Sequence, residues 1–243
     1  LRPGGVLLVV GAGGAMGRMH IQRALEMPTG PQAIIATNRG QARLHSLAER
    51  FAPLAAAAGR ELVTVSPEAD PHRVAAEIDR LTYGRGCDDV VVVVPDAAVM
   101  QDAVQWLAPD GMLVLFAGIP RGQAIHLPLD RTARYGAQFT GTSGSTVADQ
   151  LAVLDKAVAG TLAPAGRVAA IGGMRAVKDA LAAIMENRFP GKILIYPQLP
   201  DLPLLGLDEL HAALPAVQAA LAPGSAWTRA AEATLLNSQE GSH

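Results

Sequence analysis

Cysteine, aromatic residues, excess charge and long apolar runs are all scarce or absent in this chain of 243 residues. The only cysteine, Cys87, can form neither an internal disulfide nor a cysteine-rich zinc site, which favours a reducing, cytoplasmic setting. No apolar run approaches the ~18 residues of a membrane-spanning helix, so we expect no membrane partner. The 20 basic and 22 acidic residues give a formal net charge of -2, without the basic footprint that nucleic-acid binding requires.

The chain does contain a regular alternation of two patterns, in a composition that is 50% hydrophobic and 17% charged. Short runs rich in Val, Ile and Leu predict buried strands at 6–10, 33–36, 62–65, 90–94 and 112–116. Amphipathic stretches between them predict helices at 18–27, 41–52, 72–81 and 97–107. This alternation predicts an α/β fold of Rossmann type, a doubly wound parallel sheet with helices on both faces.

The pattern changes after about residue 142. Helices are predicted at 148–159 and 176–187, a strand at 192–196, and two further helices near 208–221 and 225–236. Residues 237–243 are expected to form a disordered tail. The chain begins without Met and enters its first strand almost at once, so we expect it to be part of a longer protein.

A glycine-rich loop at 11–17 joins the first predicted strand to the first predicted helix. Glycines there allow a tight turn, and the helix N-terminus offers N–H donors to a pyrophosphate. The strict Gly-x-Gly-x-x-Gly spacing fails at Met16, but glycines at 11, 14 and 17 form a variant with the same mechanics. The predicted dinucleotide contacts in this loop are Gly11, Gly14, Ala15, Met16 and Gly17. A methyltransferase is disfavoured, because Val9 and Val10 stand where such a site usually has an acid.

The second predicted strand ends in a polar pair, Asn38 and Arg39, and Asn38 lies 21 residues after Gly17. An acid about 20 residues after the glycine loop is the usual partner of the ribose in NAD(H) sites. Asn38 has no charge to repel a 2′-phosphate and Arg39 can pair with one, so we predict a preference for NADP(H) over NAD(H). The alternative for Arg39 is a solvated arginine in the first turn of a helix.

Several segments carry motifs that are shared with a known family: Gly13-Gly14-Ala15-Met16-Gly17, Pro95-Asp96, and the segments 115–120, 140–145, 169–174 and 188–192. Together they resemble the medium-chain dehydrogenase/reductase superfamily, and within it the L-sorbose 1-phosphate reductase branch of the zinc-type alcohol dehydrogenases. The resemblance extends to about Leu236. It implies that a dinucleotide lies across the carboxyl ends of the parallel strands.

By this resemblance, residues 14–17 cradle the pyrophosphate, while Asn38 and Arg39 hold the adenosine end. The resemblance also puts two residues along the crevice and three against the nicotinamide: Pro95 and Asp96, and Gly118, Ile119 and Ser143. For Gly118 the alternative is a plain turn glycine, and for Ser143 a residue that caps a helix.

Members of the family begin with a separate catalytic domain that supplies the zinc ligands, and this sequence has no counterpart of it. We therefore divide the chain into a dinucleotide-binding domain at 1–142 and a C-terminal helical extension at 143–236. The extension would return to the missing catalytic domain, so we expect it to expose an apolar face. No catalytic or metal-binding residue is predicted within the chain, because its six histidines and Cys87 include no closely spaced pair.

The resemblance implies the cofactor-binding portion of an NADP(H)-dependent oxidoreductase that interconverts an alcohol or polyol with a ketone or ketose. Zinc in the absent domain would assist hydride transfer, so the chain alone is expected to be inactive. The substrate would be a sugar, a polyol or a sugar phosphate such as L-sorbose 1-phosphate, and a homodimer is expected. The alternative is a non-catalytic NADP(H)-binding module that acts as a sensor or scaffold.

Overall fold

The computed structural model describes residues 1–141, 144–162, 164–186, 188–222 and 226–240. The chain divides into two compact units, Leu1–Leu162 and Ala163–His243, and each unit has its own sheet. Among the described residues, every helix is too short or too polar to cross a membrane.

Six parallel strands form the sheet of the first unit: β1 (Val6–Val10), β2 (Ala33–Thr37), β3 (Glu61–Val65), β4 (Cys87–Val92), β5 (Leu107–Leu115) and β6 (Gln138–Thr140). Their order in the sheet is β3-β2-β1-β4-β5-β6. The helices are α1 (Ala15–Glu26), α2 (Gln41–Ala57), α3 (Arg73–Thr82), α4 (Ala97–Asp102), α5 (Asp130–Tyr135) and α6 (Val147–Val158). This order confirms the predicted Rossmann-type fold, in which β1 and β4 mark the switch point of the sheet.

Both faces of the sheet are buried. Successive strand residues point to opposite faces, and these strands are apolar on both, so helices pack on each face. Leu8 and Ile35 belong to an apolar cluster that α3 and α4 complete on one face. Leu7 and Ile34 belong to a second cluster, which α1 and α2 complete on the other face. Because all six strands run in one direction, the loops after β1, β2, β4 and β5 come together along one edge.

Strand β5 differs from its prediction at its amino end. It begins at Leu107 rather than 112 and includes Pro109, Asp110 and Gly111. The β4–β5 register shifts between Cys87 and Asp89, which accommodates the proline. A Cβ on Gly111 would lie 2.9 Å from the carbonyl oxygen of Cys87, so glycine allows the two strands to approach here.

Buried carboxylates join the amino ends of β1 and β4. Asp88 and Asp89 are both buried, although adjacent acids are usual at turns and strand edges. The backbone N–H of Val6 donates to Asp88 Oδ2 at 2.8 Å, and that of Arg2 donates to Asp89 Oδ2 at 2.6 Å. The Arg2 guanidinium also bonds Asp88 and Asp110, and its hydrogen bond lowers the pKa of the Asp110 carboxyl. These contacts hold the segment before β1 against β4 and β5.

The second unit contains a three-stranded sheet of β7 (Val168–Gly173), β8 (Lys192–Tyr196) and β9 (Leu205–Gly206), in the order β8-β7-β9. Its α-helices are α7 (Val177–Met185), α8 (Leu210–Ala213), α9 (Pro215–Ala219) and α10 (Arg229–Glu240). Strand β7 is parallel to β8 and antiparallel to β9, and its apolar side packs on a cluster that includes Leu210, Trp227 and Leu235. Helix α10 continues to Glu240, so residues 237–240 of the predicted disordered tail are helical, while 241–243 lie outside the described residues.

The boundary between the two compact units lies after Leu162, whereas the sequence predicts a domain boundary between residues 142 and 143. Residues 142 and 143 lie outside the described residues, so the predicted boundary stays a prediction. Helix α6 therefore belongs to the first unit. Thr146 and Asp149 form a capping box at its start, and none of its residues is buried. Its exposed apolar side chains include Val147, Leu151, Leu154 and Val158.

Candidate functional site

The glycine loop turns sharply at the carboxyl end of β1. Gly11 has φ +89°, in the left-handed region that favours glycine, and a Cβ there would clash with Val94. The N–H groups of Gly11 and Ala12 donate to the carbonyl oxygen of Thr37 at 3.0 and 2.8 Å. The loop is thus tied to the end of β2, and it delivers the chain into α1 at the carboxyl edge of the sheet.

Three further glycines in this loop differ in what surrounds them. A Cβ on Gly13 would lie 2.7 Å from Asn38 Cγ, and one on Gly17 would lie 2.5 Å from Ala12 Cα. Both positions therefore allow backbone to pack closely, against the end of β2 and against the loop itself. A Cβ on Gly14 would meet no atom within 4 Å, so this glycine faces open space.

The first turn of α1 begins at that open position. Gly14 is the N-cap residue and offers no side-chain cap, and the first turn contains no acidic residue. As in any α-helix, the first N–H groups, here those of Ala15, Met16 and Gly17, have no partner within the helix. The positive end of the helix dipole adds to these donors, so the position is suited to an anion.

The turn after β2 presents the predicted polar pair at the same edge. Asn38 is half-buried, and its Nδ2 donates to the carbonyl oxygen of Gly40 at 3.2 Å. The Ser66 hydroxyl donates to the carbonyl oxygen of Arg39 at 2.8 Å, which fixes the backbone of the turn. Arg39 itself is exposed, and within the described residues its guanidinium has no hydrogen bond or ion pair. Its charge is thus available to a ligand beside Asn38.

A buried arginine that the sequence pattern did not indicate joins the glycine loop to α2. Arg18, in the first turn of α1, is only 7% exposed. Its Nε donates to the carbonyl oxygen of Gly13 at 3.3 Å, and its Nη2 donates to Arg43 O and Ser46 Oγ, both at 3.2 Å. Burial, with the nearby charges of Arg50 and Arg43, lowers the pKa of Arg18 to about 10, so it stays protonated at neutral pH.

The predicted crevice residues Pro95 and Asp96 follow β4 and are exposed. Asp96 also has a structural task, because its Oδ1 accepts from the N–H groups of Ala98 and Val99 at 2.9 and 3.1 Å. This carboxylate is therefore the N-cap of α4. Such a cap fixes the start of α4 at the carboxyl edge of the sheet.

The nicotinamide-facing candidates follow β5, with one exception. Gly118 is exposed, and a Cβ there would meet no atom within 4 Å. Ile119 is partly buried against the cluster on the α3 and α4 face. Ser143 lies outside the described residues, so its predicted contact stays a prediction. The open surface at Gly118 leaves room for a ligand at the end of β5.

An aromatic contact between α1 and the end of β5 was not anticipated from the sequence. The rings of His20 and Phe116 meet edge to face with centroids 4.7 Å apart, and the His20 Nδ1 lies 2.9 Å from Met16 O. Phe116 is 39% exposed, so part of its ring faces the carboxyl edge of the sheet. The sequence signal was a large aromatic residue directly after a buried strand.

A mostly apolar cavity of about 210 Å³ lies beside the carboxyl ends of β1 and β2, on the face of the sheet that α3 and α4 cover. It lies between α3 and α4, and its lining includes Val10, Thr37, Pro67, Val74, Val99 and Trp106. Because Val10 and Thr37 end β1 and β2, the cavity adjoins the glycine loop. Its mostly apolar lining suits an apolar ring system.

No group of three metal-binding side chains occurs in the part of the chain that the structure describes. Cys87 is buried, and burial together with the charges of Asp88 and Asp89 raises the pKa of its thiol to about 12. Its thiolate is scarce at neutral pH, so Cys87 is a buried packing residue rather than a nucleophile.

These features define a class: an α/β domain of Rossmann type with an open glycine loop at the switch point of its sheet. No family model matches the chain. It is 32% identical over 216 residues to the mannitol-1-phosphate 5-dehydrogenase of Aliivibrio fischeri, which covers 86% of this chain and 49% of that protein. It is 31% identical over 240 residues to the L-sorbose 1-phosphate reductase of Klebsiella pneumoniae, which covers 97% and 56%. The chain thus spans about half the length of the curated relatives it matches.

Solved structures agree with this relationship at the level of the fold. The 2R,3R-butanediol dehydrogenase of Bacillus subtilis matches with a TM-score of 0.62 at 23% identity, covering 81% of this chain and 52% of that one. A Sinorhizobium meliloti 1021 dehydrogenase bound to NADP matches with a TM-score of 0.60 at 16% identity, covering 81% and 53%. The predicted resemblance is confirmed: the chain is homologous to part of these two proteins, and its fold matches about half of each solved dehydrogenase structure.

Proposed function

We propose that this chain is the cofactor-binding portion of an NADP(H)-dependent oxidoreductase that interconverts an alcohol or polyol with a ketone or ketose. The observation that carries the proposal is the open position at Gly14 in front of the uncapped N-terminus of α1. The two curated relatives named above support a phosphorylated polyol or ketose as the substrate, because one is named for mannitol 1-phosphate and the other for L-sorbose 1-phosphate. We further propose a homodimer and a cytoplasmic setting.

The residues along the carboxyl edge fit a dinucleotide in three places. A pyrophosphate suits the N–H groups of Ala15, Met16 and Gly17, because no Cβ at position 14 blocks its approach. An adenine ring suits the apolar cavity beside Val10 and Thr37. The exposed surface at Gly118 leaves room for the nicotinamide. When bound, NADP(H) supplies the hydride donor or acceptor.

The preference for NADP(H) is proposed from the turn after β2. An acidic residue that would bind the ribose hydroxyls of NAD(H) is absent there, and Asn38 takes its place. The exposed guanidinium of Arg39 can form a charge-assisted pair with a 2′-phosphate. Asn38 does not repel the 2′-phosphate as an acid would, and Arg39 attracts it. Both residues therefore favour NADP(H) over NAD(H).

This chain's own residues bind and orient the cofactor and do not supply the catalytic group. We propose that zinc and its ligands belong to a part of the protein outside this chain, as the resemblance implies. The described residues contain no cluster that could take their place. A sugar or polyol would thus reach the nicotinamide between this chain and that other part.

Assays of the chain alone and of a chimera test this function. The purified chain, with NADPH and L-sorbose 1-phosphate or with NADP⁺ and mannitol 1-phosphate, is expected to show no turnover above background. In the chimera, this chain replaces the matched 56% of the Klebsiella pneumoniae L-sorbose 1-phosphate reductase. NADPH-dependent turnover is expected from the chimera, and its Gly14→Ala variant should lose most of it.

Two results would contradict this proposal in different ways. Turnover by the chain alone would place catalytic groups inside it. A folded chimera that binds NADPH but turns over neither substrate would favour the non-catalytic sensor or scaffold module instead.

A further inference from the structure

Arg18 connects three segments that border the turn after β2. From the first turn of α1 it donates to the backbone of the glycine loop at Gly13, and to Arg43 O and Ser46 Oγ in α2. Gly13 in turn packs closely against Asn38, because a Cβ there would lie 2.7 Å from Asn38 Cγ. The same Cβ would lie 2.9 Å from Arg43 Cβ. The glycine loop therefore contacts both the Asn38 turn and the start of α2, and the buried Arg18 guanidinium bonds the loop and α2.

Burying a cation at this point is costly unless its hydrogen bonds are satisfied. Arg18 is 7% exposed, and the charges of Arg43 and Arg50 are close enough to contribute to the lowering of its pKa. Arg39 adds an exposed cation at the turn itself, and neither α1 nor α2 has an acidic residue in its first turn. A dianionic phosphate at the turn would be attracted to the exposed Arg39 guanidinium.

We infer that Arg18 is a positioning residue for the 2′-phosphate of NADP(H), acting through the backbone that it holds at Gly13 and Arg43. This inference rests on the proposed function, because it concerns which dinucleotide the site prefers. The N–H groups of α1 serve NADPH and NADH alike, whereas the Asn38 turn and the start of α2 border the position of the 2′-phosphate. Loss of Arg18 is therefore expected to affect NADPH more than NADH.

The test compares four variants of the full chain by titration with NADPH and NADH and by thermal unfolding. Arg18→Met keeps much of the apolar stem and removes the charge and the hydrogen bonds to Gly13, Arg43 and Ser46. Arg18→Lys keeps the charge and loses the forked geometry. Ser46→Ala removes one partner, and Arg23→Met is the matched control, because it removes the same group from the last turn of the same helix.

We expect Arg18→Met to weaken NADPH about tenfold or more, because the backbone that borders the 2′-phosphate loses its support, and to weaken NADH no more than about threefold. Arg18→Lys and Ser46→Ala should give smaller shifts of the NADPH to NADH ratio, and Arg23→Met should leave that ratio unchanged. If Arg18→Met does not fold, Arg18→Lys and Ser46→Ala decide by the same ratio.

Equal losses of NADPH and NADH affinity, with a lower Tm, would show that Arg18 supports only the fold and would overturn the inference. A wild-type chain that binds both dinucleotides with no preference for NADPH would overturn it as well, while leaving the dinucleotide site intact. A wild-type chain that binds neither dinucleotide contradicts the proposed function itself, and with it this role for Arg18.

Discussion

Replacing Gly17 by alanine is expected to destabilise the first unit and to abolish dinucleotide binding. The new Cβ would lie 2.5 Å from Ala12 Cα and 2.8 Å from the Ala12 carbonyl oxygen, and backbone atoms cannot move aside as a side chain can. Overpacking of this kind costs about 3 kcal/mol, which lowers Tm by roughly 6–12 °C in a chain of this size. Thermal unfolding and NADPH titration of the variant measure the two effects.

Gly14→Ala is the matched control, because it adds the same methyl group three residues earlier in the same loop. Gly14 has φ -84° and ψ 173°, which alanine adopts freely, and a Cβ there meets no atom within 4 Å. We expect stability to change by no more than about 1 kcal/mol, the scale of an N-cap effect. Dinucleotide affinity should nevertheless fall about tenfold, because the methyl group occupies the approach of the pyrophosphate. Equal Tm values for the Gly14 and Gly17 variants would contradict the different roles assigned to them.

Two substitutions in the turn after β2 are expected to reverse the choice of cofactor. Arg39→Ala should weaken NADPH about tenfold or more and leave NADH nearly unchanged, because only the 2′-phosphate pairs with the guanidinium. Asn38→Asp should weaken NADPH further and strengthen NADH, because a carboxylate repels the phosphate and accepts hydrogen bonds from the ribose. The double variant is expected to prefer NADH in a fluorescence titration.

The matched control for this pair is Arg121→Ala, which removes an exposed arginine beyond β5. It should leave both affinities unchanged. Equal losses of NADPH and NADH in Arg39→Ala would refute a contact with the 2′-phosphate, and no loss of either would show that Arg39 is a solvated residue at the start of a helix. The preference for NADP(H) would then need another source.

Many of the strands in both units could be predicted from local patterns. The runs at 6–10 and 192–196 match the observed bounds of β1 and β8, because bounded apolar runs of that length pack as buried strands. Strands β6 and β7 were missed for different reasons. Gln138–Thr140 is short and half polar, and the small residues of Val168–Gly173 carry little strand preference. Their position depends on neighbouring strands more than on their own composition.

Some residues of the candidate site could also be predicted from the sequence, and others could not. Gly11, Gly14 and Asn38 could be identified from spacing along the chain, because loop, helix start and strand end follow one another at fixed intervals. Arg18, Ser66 and the contact between His20 and Phe116 could not, since their partners lie far away in sequence. Arg18 reaches Arg43 and Ser46, which are 25 and 28 residues away. Such contacts exist only after the sheet has brought its loops to one edge.

The buried acids at the amino edge of the sheet could not be predicted from the local sequence either. Asp88 and Asp89 are adjacent acids, which favoured a turn or strand edge in the sequence. Both are buried because Arg2, which is 86 and 87 residues away, supplies donors to them. A local pattern cannot reveal a partner at that distance.

Calorimetric titration of the wild-type chain with NADPH and with NADH tests the central claim most directly. We predict saturable binding of one NADPH per chain, with NADH bound at least about tenfold more weakly, the effect of one charge-assisted pair. Binding of neither dinucleotide, by a chain whose thermal unfolding shows it to be folded, would contradict the assignment of the glycine loop as a dinucleotide site.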